Sequence, residues 1–304
     1  MNISLAVLGA LAFANASPTV QVKAIAKRKS ITDIFGSSQL TGAFIDLLKD
    51  VANIFKDRKG NAPKPIPSAT SFKDWKAFKA NGVNLGEGCV LMEKGIDPAF
   101  FNNNGAAAAE DEDSFCEILG DFKCGLLLKK RYLTYITKAD IDKFAAYGVN
   151  LIQVPIGYWA FMFRQKGMHF HTGGQLLAFS RIAQYAISKG MHAIVDLHGL
   201  PGGQNGLDNQ GKTGQIGWWH NDDNFEASIT MVKRATDCIN LQPNKNQFTF
   251  SVINEPLPAL LQFGQTPDSF AYLNKYYNAS LAAIRKKSST LPVMFSDGFS
   301  GEQV

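Results

Sequence analysis

The chain has 304 residues, 45% of them hydrophobic and 19% charged, and 31 Lys and Arg against 26 Asp and Glu give a formal charge of +5. That composition excludes a disordered or low-complexity chain, and the length can hold one large α/β or all-β domain or two ordinary ones. Three of the cations, Lys23, Lys27 and Arg28, fall in the first 28 residues, which hold no acid, so the surplus elsewhere is small. No basic block interleaved with aromatics remains, and a nucleic-acid partner is not expected.

From the N-terminus, the run Ile3 to Ala14 is apolar and short, and small residues close it at Ala14-Asn15-Ala16-Ser17. Such a run is too brief to span a bilayer, which takes about 20 residues, and it reads as a secretory signal whose basic start is only the terminal amine. A second cut is expected after Lys27-Arg28. Residues 1–28 are therefore predicted to be a signal peptide and propeptide, and the product secreted, extracellular or cell-wall bound. Apolar positions Leu40, Phe44, Leu47, Leu48, Val51, Ile54 and Phe55 repeat at helical spacing. The prolines of Asn61 to Pro67 then forbid both helix and central strand. Residues 29–70 thus read as a helical extension with a stiff linker, and 71–304 as the main domain. No later run reaches membrane-spanning length.

Beyond the linker, short β-rich runs alternate with stretches of helical periodicity. The strands are expected at Gly82–Gly86, Val149–Ile156, His192–His198, Phe248–Asn254 and Pro292–Phe299, with helices at Asp140–Tyr147, Gly174–Lys189, Asn224–Ile239 and Ser269–Lys287. This pattern means a parallel sheet with crossover helices, either doubly wound or a (β/α)8 barrel. Polar residues fall at the C-terminal ends of successive strands: Gln153, Asp196 with His198, Asn254 with Glu255, and Asp297. A doubly wound sheet gathers its ligand groups at one switch point, whereas a barrel takes them from many strands, so the α/β barrel of TIM type is favoured. Only about the first five β/α units are present.

Four cysteines, Cys89, Cys116, Cys124 and Cys238, allow two disulfides in three connectivities, and Cys116–Cys124 is the pair expected first. Their spacing offers no zinc site. Asn278-Ala279-Ser280 is a glycosylation triplet.

Asn254-Glu255-Pro256 is the most informative motif. A carboxylic acid at a strand end in a barrel mouth can protonate a leaving oxygen if partial burial raises its pKa, and the neighbouring Asn254 can bind a sugar hydroxyl. The plain alternative is a helix start, with Pro256 in its first turn and the acid favouring the dipole.

From about Gly82 onward the sequence resembles the family 5 glycoside hydrolases, of the fungal exo-β-1,3-glucanase type. The matching stretches, in order, are Gly82 to Gly86, Ser114 to Gly120, Tyr135 to Asp140, Gly148 to Asn150 with Pro155 to Phe161, Asp196 to Gly199 with Pro201 to Gly206, and Asn254 to Pro256. The resemblance implies that Glu255 is the acid/base, Asn254 its neighbour at the substrate and His198 a polar group lining the site. It implies that Glu93 holds the terminal sugar and that Asp208 and Asn209 bind glucose hydroxyls; turn chemistry is the plain reading of these loop polars. Tyr158, Trp159, Trp218 and Trp219 are placed between stacking on sugar faces and simple burial, with Tyr158 taken as a substrate contact.

The chain departs from the family at several points. Gln153 stands where the family has an arginine that orients the nucleophile, and it cannot supply a fixed charge. Cys89 and Leu207 replace aromatics. A retaining glycosidase needs a second carboxylate about 5 Å from the first, which the family takes from its seventh strand. This chain stops at Val304 just after the fifth, so the nucleophile is expected to be absent from it and the chain to be truncated.

Two other motifs are discounted. Gly206 to Thr213 matches the phosphate-loop pattern, but no strand runs directly into it and no helix is expected to open from it. His169 and His171 lie in a Gly-flanked loop without a partner at metal spacing. The expectation is a secreted, monomeric hydrolase of β-1,3-glucan, releasing glucose by retaining double displacement, with no cofactor and no metal. The alternative is a non-catalytic glucan-binding relative or a fragment lacking the nucleophile.

Overall fold

Five parallel strands lie side by side in the order of the sequence, β1 (Gly82–Asn84), β2 (Leu151–Gly157), β3 (His192–His198), β4 (Phe248–Ser251) and β5 (Val293–Met294). The computed structural model describes residues 76–86, 93–162, 164–165, 167–257 and 267–299. The chain divides into two compact units, Met1–Lys59 and Gly60–Val304, and all described residues belong to the second. The expected signal peptide, the helix at 40–55, the Pro-rich linker and Cys89 lie outside the described residues.

Strand order decides between the two parallel architectures. A doubly wound sheet reverses direction at its switch point; this sheet advances from β1 to β5 without reversal, which with right-handed crossovers puts every helix on one face. The fold is that of the first five β/α units of a (β/α)8 barrel.

Register then divides the side chains. On the helix face are Ile152, Val154 and Ile156 of β2, Ala193, Val195 and Leu197 of β3, and Phe248 and Phe250 of β4, all essentially buried. The opposite face carries Asn84, Gln153, Asp196, His198, Thr249 and Ser251, with Asn84 paired to Gln153 and Asp196 to Ser251. The two-residue period of a strand is thus present, but both faces are buried in β3, so the run reads as nearly continuous.

The helices are α1 (Pro98–Asn103), α2 (Glu112–Thr134), α3 (Lys138–Ala146), α4 (Gln175–Ser188), α5 (Asp222–Asn240) and α6 (Pro267–Arg285). Thr137 opens α3 and Asn221 opens α5 by accepting from the backbone N–H three residues on, which satisfies donors the helix leaves unpaired. Helix α4 packs on β2 and β3, and α5 lies against α6.

Helix α2 has no counterpart among the expected elements. Asp111 and Ser114 form a reciprocal capping box at its start, a signal legible in the sequence. Its continuity is broken at Gly120, where φ is 74°, and this interruption hides the helical period. The Cys116–Cys124 disulfide closes across that kink with Cα atoms 5.0 Å apart, as expected. Cys238, on α5, carries a free thiol whose pKa burial pushes up to about 11. Strands β4 and β5 end sooner than expected; past Ser251 only the Asn254 N–H, donating to the Leu197 carbonyl at 3.1 Å, keeps the chain beside β3. Among the described residues no helix is long and apolar enough to cross a membrane.

Candidate active site

The C-terminal ends of β3 and β4 deliver Asp196, His198, Asn254 and Glu255 to the same region, and the connection after β3 folds back over them. That connection, Gly199 to Gly217, is held by amide side chains. Gln204 accepts from the Leu200 N–H at 3.0 Å, and Gln210 Oε1 accepts from the backbone N–H groups of Gln204 and Asn205 at 2.8 and 3.1 Å. Gln210 Nε2 donates to the Lys212 and Gln215 carbonyls, and Trp219 Nε1 to the Gln204 carbonyl. Gly203 sits at φ 78° with the Gln215 carbonyl oxygen only 2.3 Å from where a Cβ would be, so the position admits no side chain. The far side of the loop is tied to the start of α2: Asp111 Oδ2 accepts from the Thr213 N–H, and Lys212 Nζ lies 2.7 Å from the buried Asp113 carboxylate.

This rigid loop presents Asn209 to Glu255. Asn209 Nδ2 donates to Glu255 Oε2 at 2.7 Å, and Asn205 Nδ2 reaches both Asn209 Oδ1 at 3.2 Å and the Glu255 carbonyl at 3.1 Å. Gln204 Nε2 donates to the Asn254 carbonyl at 2.9 Å. Glu255 is half-buried, with φ at 43°. Residues 252–257 form no helix, so Glu255 is not the helix-start acid of the plain reading. A left-handed backbone at a non-glycine residue costs energy and persists only where its surroundings enforce it.

Glu93, in a bridge to Asp111, completes the cluster. Burial, then the negative charges of Asp208 and Glu255, push its pKa up to about 8 against the opposing pull of His198. Its Oε1 is buried without a hydrogen-bond partner among the described residues. Asp208 heads a short turn, Asp208–Gln210, and its Oδ2 lies 3.7 Å from where a Cβ on Gly95 would be. The structure therefore brings together Glu93, His198, Asp208, Asn209, Asn254 and Glu255. An acid kept protonated near neutrality, a carboxyl group held by an amide donor and the unpartnered Glu93 Oε1 suit a polyhydroxylated ligand.

Beneath this cluster, His198 Nε2 lies 2.8 Å from Asp196 Oδ2, and Gln153 Nε2 donates to the same oxygen at 2.6 Å. Burial alone would raise the Asp196 pKa, but the His198 charge and hydrogen bonds from His198, Ser251 and Gln153 outweigh it and bring it below the ordinary value. His198 moves the opposite way: burial lowers its pKa, and the charge and hydrogen bond of Asp196 more than restore it.

Tyr158 is placed differently from the expectation. It is 2% exposed, its hydroxyl points at Met168 Sδ, and its ring packs edge-on against Trp159 and Phe170. Trp159 stacks on Phe170 and donates to the buried Glu112, while Trp218 donates to Ser228 inside the core. These aromatics stabilise the platform under the site, because a strand-end aromatic packed below a folded-back loop has no open face. The phosphate-loop pattern fails as anticipated: no helix begins until Asp222, and Lys212 is committed to Asp113. His169 also bonds Asp113, and among the described residues no cluster that could hold a metal is present. Sequence reasoning did not single out Gln204, Asn205 and Gln210, although four amide residues within Gln204 to Gln210, bounded by glycines, mark a loop that must satisfy itself internally.

Comparison with known proteins bears on this arrangement. The profile of the Cellulase family, glycosyl hydrolase family 5, matches residues 121–302. A probable glucan 1,3-beta-glucosidase A of Aspergillus clavatus is 32% identical over 225 residues, covering 72% of this chain and 49% of its own. Glucan 1,3-beta-glucosidase 1 of Schizosaccharomyces pombe is 32% identical over 236 residues, covering 74% and 54%. The crystal structure of a rutinosidase from Aspergillus niger superposes with a TM-score of 0.71 at 35% identity, covering 77% of this chain and 66% of that one. The chain spans about half the length of the curated relatives it matches.

Proposed function

The chain belongs to the Cellulase family, glycosyl hydrolase family 5, and from that premise we propose that it is part of a secreted β-glucoside hydrolase acting on β-1,3-glucan and releasing glucose with retention. The observation that carries this reading is the Glu255 carboxylate at the end of β4, held by Asn209 inside a cluster with Glu93, Asp208 and His198. Glu255 protonates the departing glycosidic oxygen and later draws the proton from water. A second carboxylate on the opposite side of the anomeric carbon forms and releases the glycosyl intermediate. Glu93, Asp208 and Asn254 bind sugar hydroxyls. The Cys116–Cys124 disulfide supports an oxidising, extracellular location.

The experiment is glucose release from laminarin by the full-length protein, with Glu255→Gln as control. Release that survives the substitution removes Glu255 from the acid/base role; laminarin binding without any release favours a glucan-binding relative. The rutinosidase likeness, at 35% identity, supports a second substrate reading, a rutinoside in place of glucan. Parallel assays on laminarin and rutin separate the two.

A further inference from the structure

Where the resembled family brings an arginine to the site on its second strand, this chain brings the neutral Gln153. Its amide is spent on Asp196 Oδ2, 2.6 Å away, and that oxygen also receives His198 Nε2 at 2.8 Å. The other ring nitrogen, His198 Nδ1, lies 3.2 Å from the backbone carbonyl oxygen of Asn209. A backbone carbonyl only accepts, an ionised carboxylate only accepts, and a neutral imidazole has a single N–H. Both contacts are hydrogen bonds only when both ring nitrogens carry protons. With a side chain 5% exposed, His198 has little water to take over either one.

We propose that His198 is a positioning residue for the proton donor: as an imidazolium clamped between Asp196 and the Asn209 carbonyl, it supplies the buried positive charge of this site and holds Asn209 so that its side-chain amide meets Glu255. The inference rests on the reading of Glu255 as acid/base. The chain of contacts is continuous: Gln153 to Asp196, Asp196 to His198, His198 to the Asn209 backbone, and the Asn209 side chain to Glu255 at 2.7 Å. The opposed displacement of the Asp196 and His198 pKa values, each driven by the other's charge against burial, agrees with an ion pair.

Among the described residues, the charged groups around His198 are Asp196 on its own strand and Glu93 from the segment after β1, with Asp208 of the loop and Glu255 of the β4 end acting on Glu93; β2 contributes the uncharged Gln153. When His198 loses its proton, one N–H must serve two acceptors. The shorter, charge-assisted bond to Asp196 is kept, the Asn209 carbonyl is released, and the hold on Glu255 loosens.

The test is an NMR titration of the protein labelled with 15N in its histidine rings and asparagine side chains, which needs no turnover. The expected result is that both His198 nitrogens are protonated at pH 7, and that the Asn209 side-chain amide shifts with the same midpoint when His198 titrates at higher pH. A neutral His198 tautomer at pH 7, or an Asn209 amide that ignores the His198 midpoint, overturns the proposal. Asp196→Asn is expected to abolish the doubly protonated signature; if it persists, the clamp is wrong. In the full-length enzyme, His198→Gln is expected to alter the alkaline limb of kcat, leaving the limb set by Glu255 itself, and to lower kcat at least tenfold with little change in KM; an unaltered pH profile overturns the proposal. Hydrolysis that survives Glu255→Gln sinks the reading of Glu255 while leaving the titration result intact, so the two failures are distinguishable.

Discussion

Asn209 Nδ2 lies 2.7 Å from Glu255 Oε2 across 46 residues of sequence, joining the loop after β3 to the end of β4. The same Asn209 accepts from Asn205, which also binds the Glu255 carbonyl, so the carboxylate and its backbone are gripped by one loop.

Replacing Asn209 by Ala removes the hydrogen bond that orients Glu255, and a side-chain hydrogen bond is worth about 0.5–1.5 kcal/mol in general. In the full-length enzyme kcat is expected to fall by up to about tenfold, with poor leaving groups affected most because they depend on protonation. Comparing a dinitrophenyl with an alkyl β-glucoside checks this; an equal loss on both contradicts the role of Asn209 at the acid.

Glu93 links pH to stability. Its folded pKa of about 8 lies above the ordinary 4.5, so between these values the folded state binds the proton that the unfolded chain has released. Stability from this group is therefore full below about pH 4.5, declines as pH rises to about 8, and is flat beyond. Glu93→Gln lacks the decline, so its melting temperature should gain on the wild type across that window. Thermal melts from pH 4 to pH 9 measure the gap, and a constant gap refutes the assignment.

Gly211 has φ 85°, and a Cβ there would lie 2.2 Å from the Trp159 ring. Gly211→Ala must distort both the backbone and the stacked Trp159–Phe170 pair, so a loss of several kcal/mol is expected, at the severe end for point substitutions. Urea unfolding followed by tryptophan fluorescence reports it.

The Cys116–Cys124 bridge closes a loop with sequence separation 8. Chain-entropy reasoning gives such a crosslink about 2–3 kcal/mol. The double Cys116→Ser, Cys124→Ser variant should melt several degrees lower, and a reductant should lower the wild type but not the variant.

The architecture was legible because its signals are local. β-branched runs such as His192–His198, the alternation with helices, and the polar residues ending successive strands all express preferences within a few residues of each other. Helix α2 escaped because Gly120 interrupts its period in the middle, although its capping box was plain. Tyr158 was read as a sugar contact because a strand-end aromatic carries the same letters whether its face is open or, as here, covered by Trp159 and Phe170.

The sequence by itself determined which strands form, in what order and with which polar groups at their ends. Tertiary structure decided which of those groups meet. Parallel register set Gln153 beside Asp196, the folded-back loop carried Asn209 to Glu255, and the chain after β1 brought Glu93 near Asp208 and His198. Such contacts are made by short-range forces between residues far apart in the chain. Their energies depend on distance, burial and charge balance, which no local pattern of residues records.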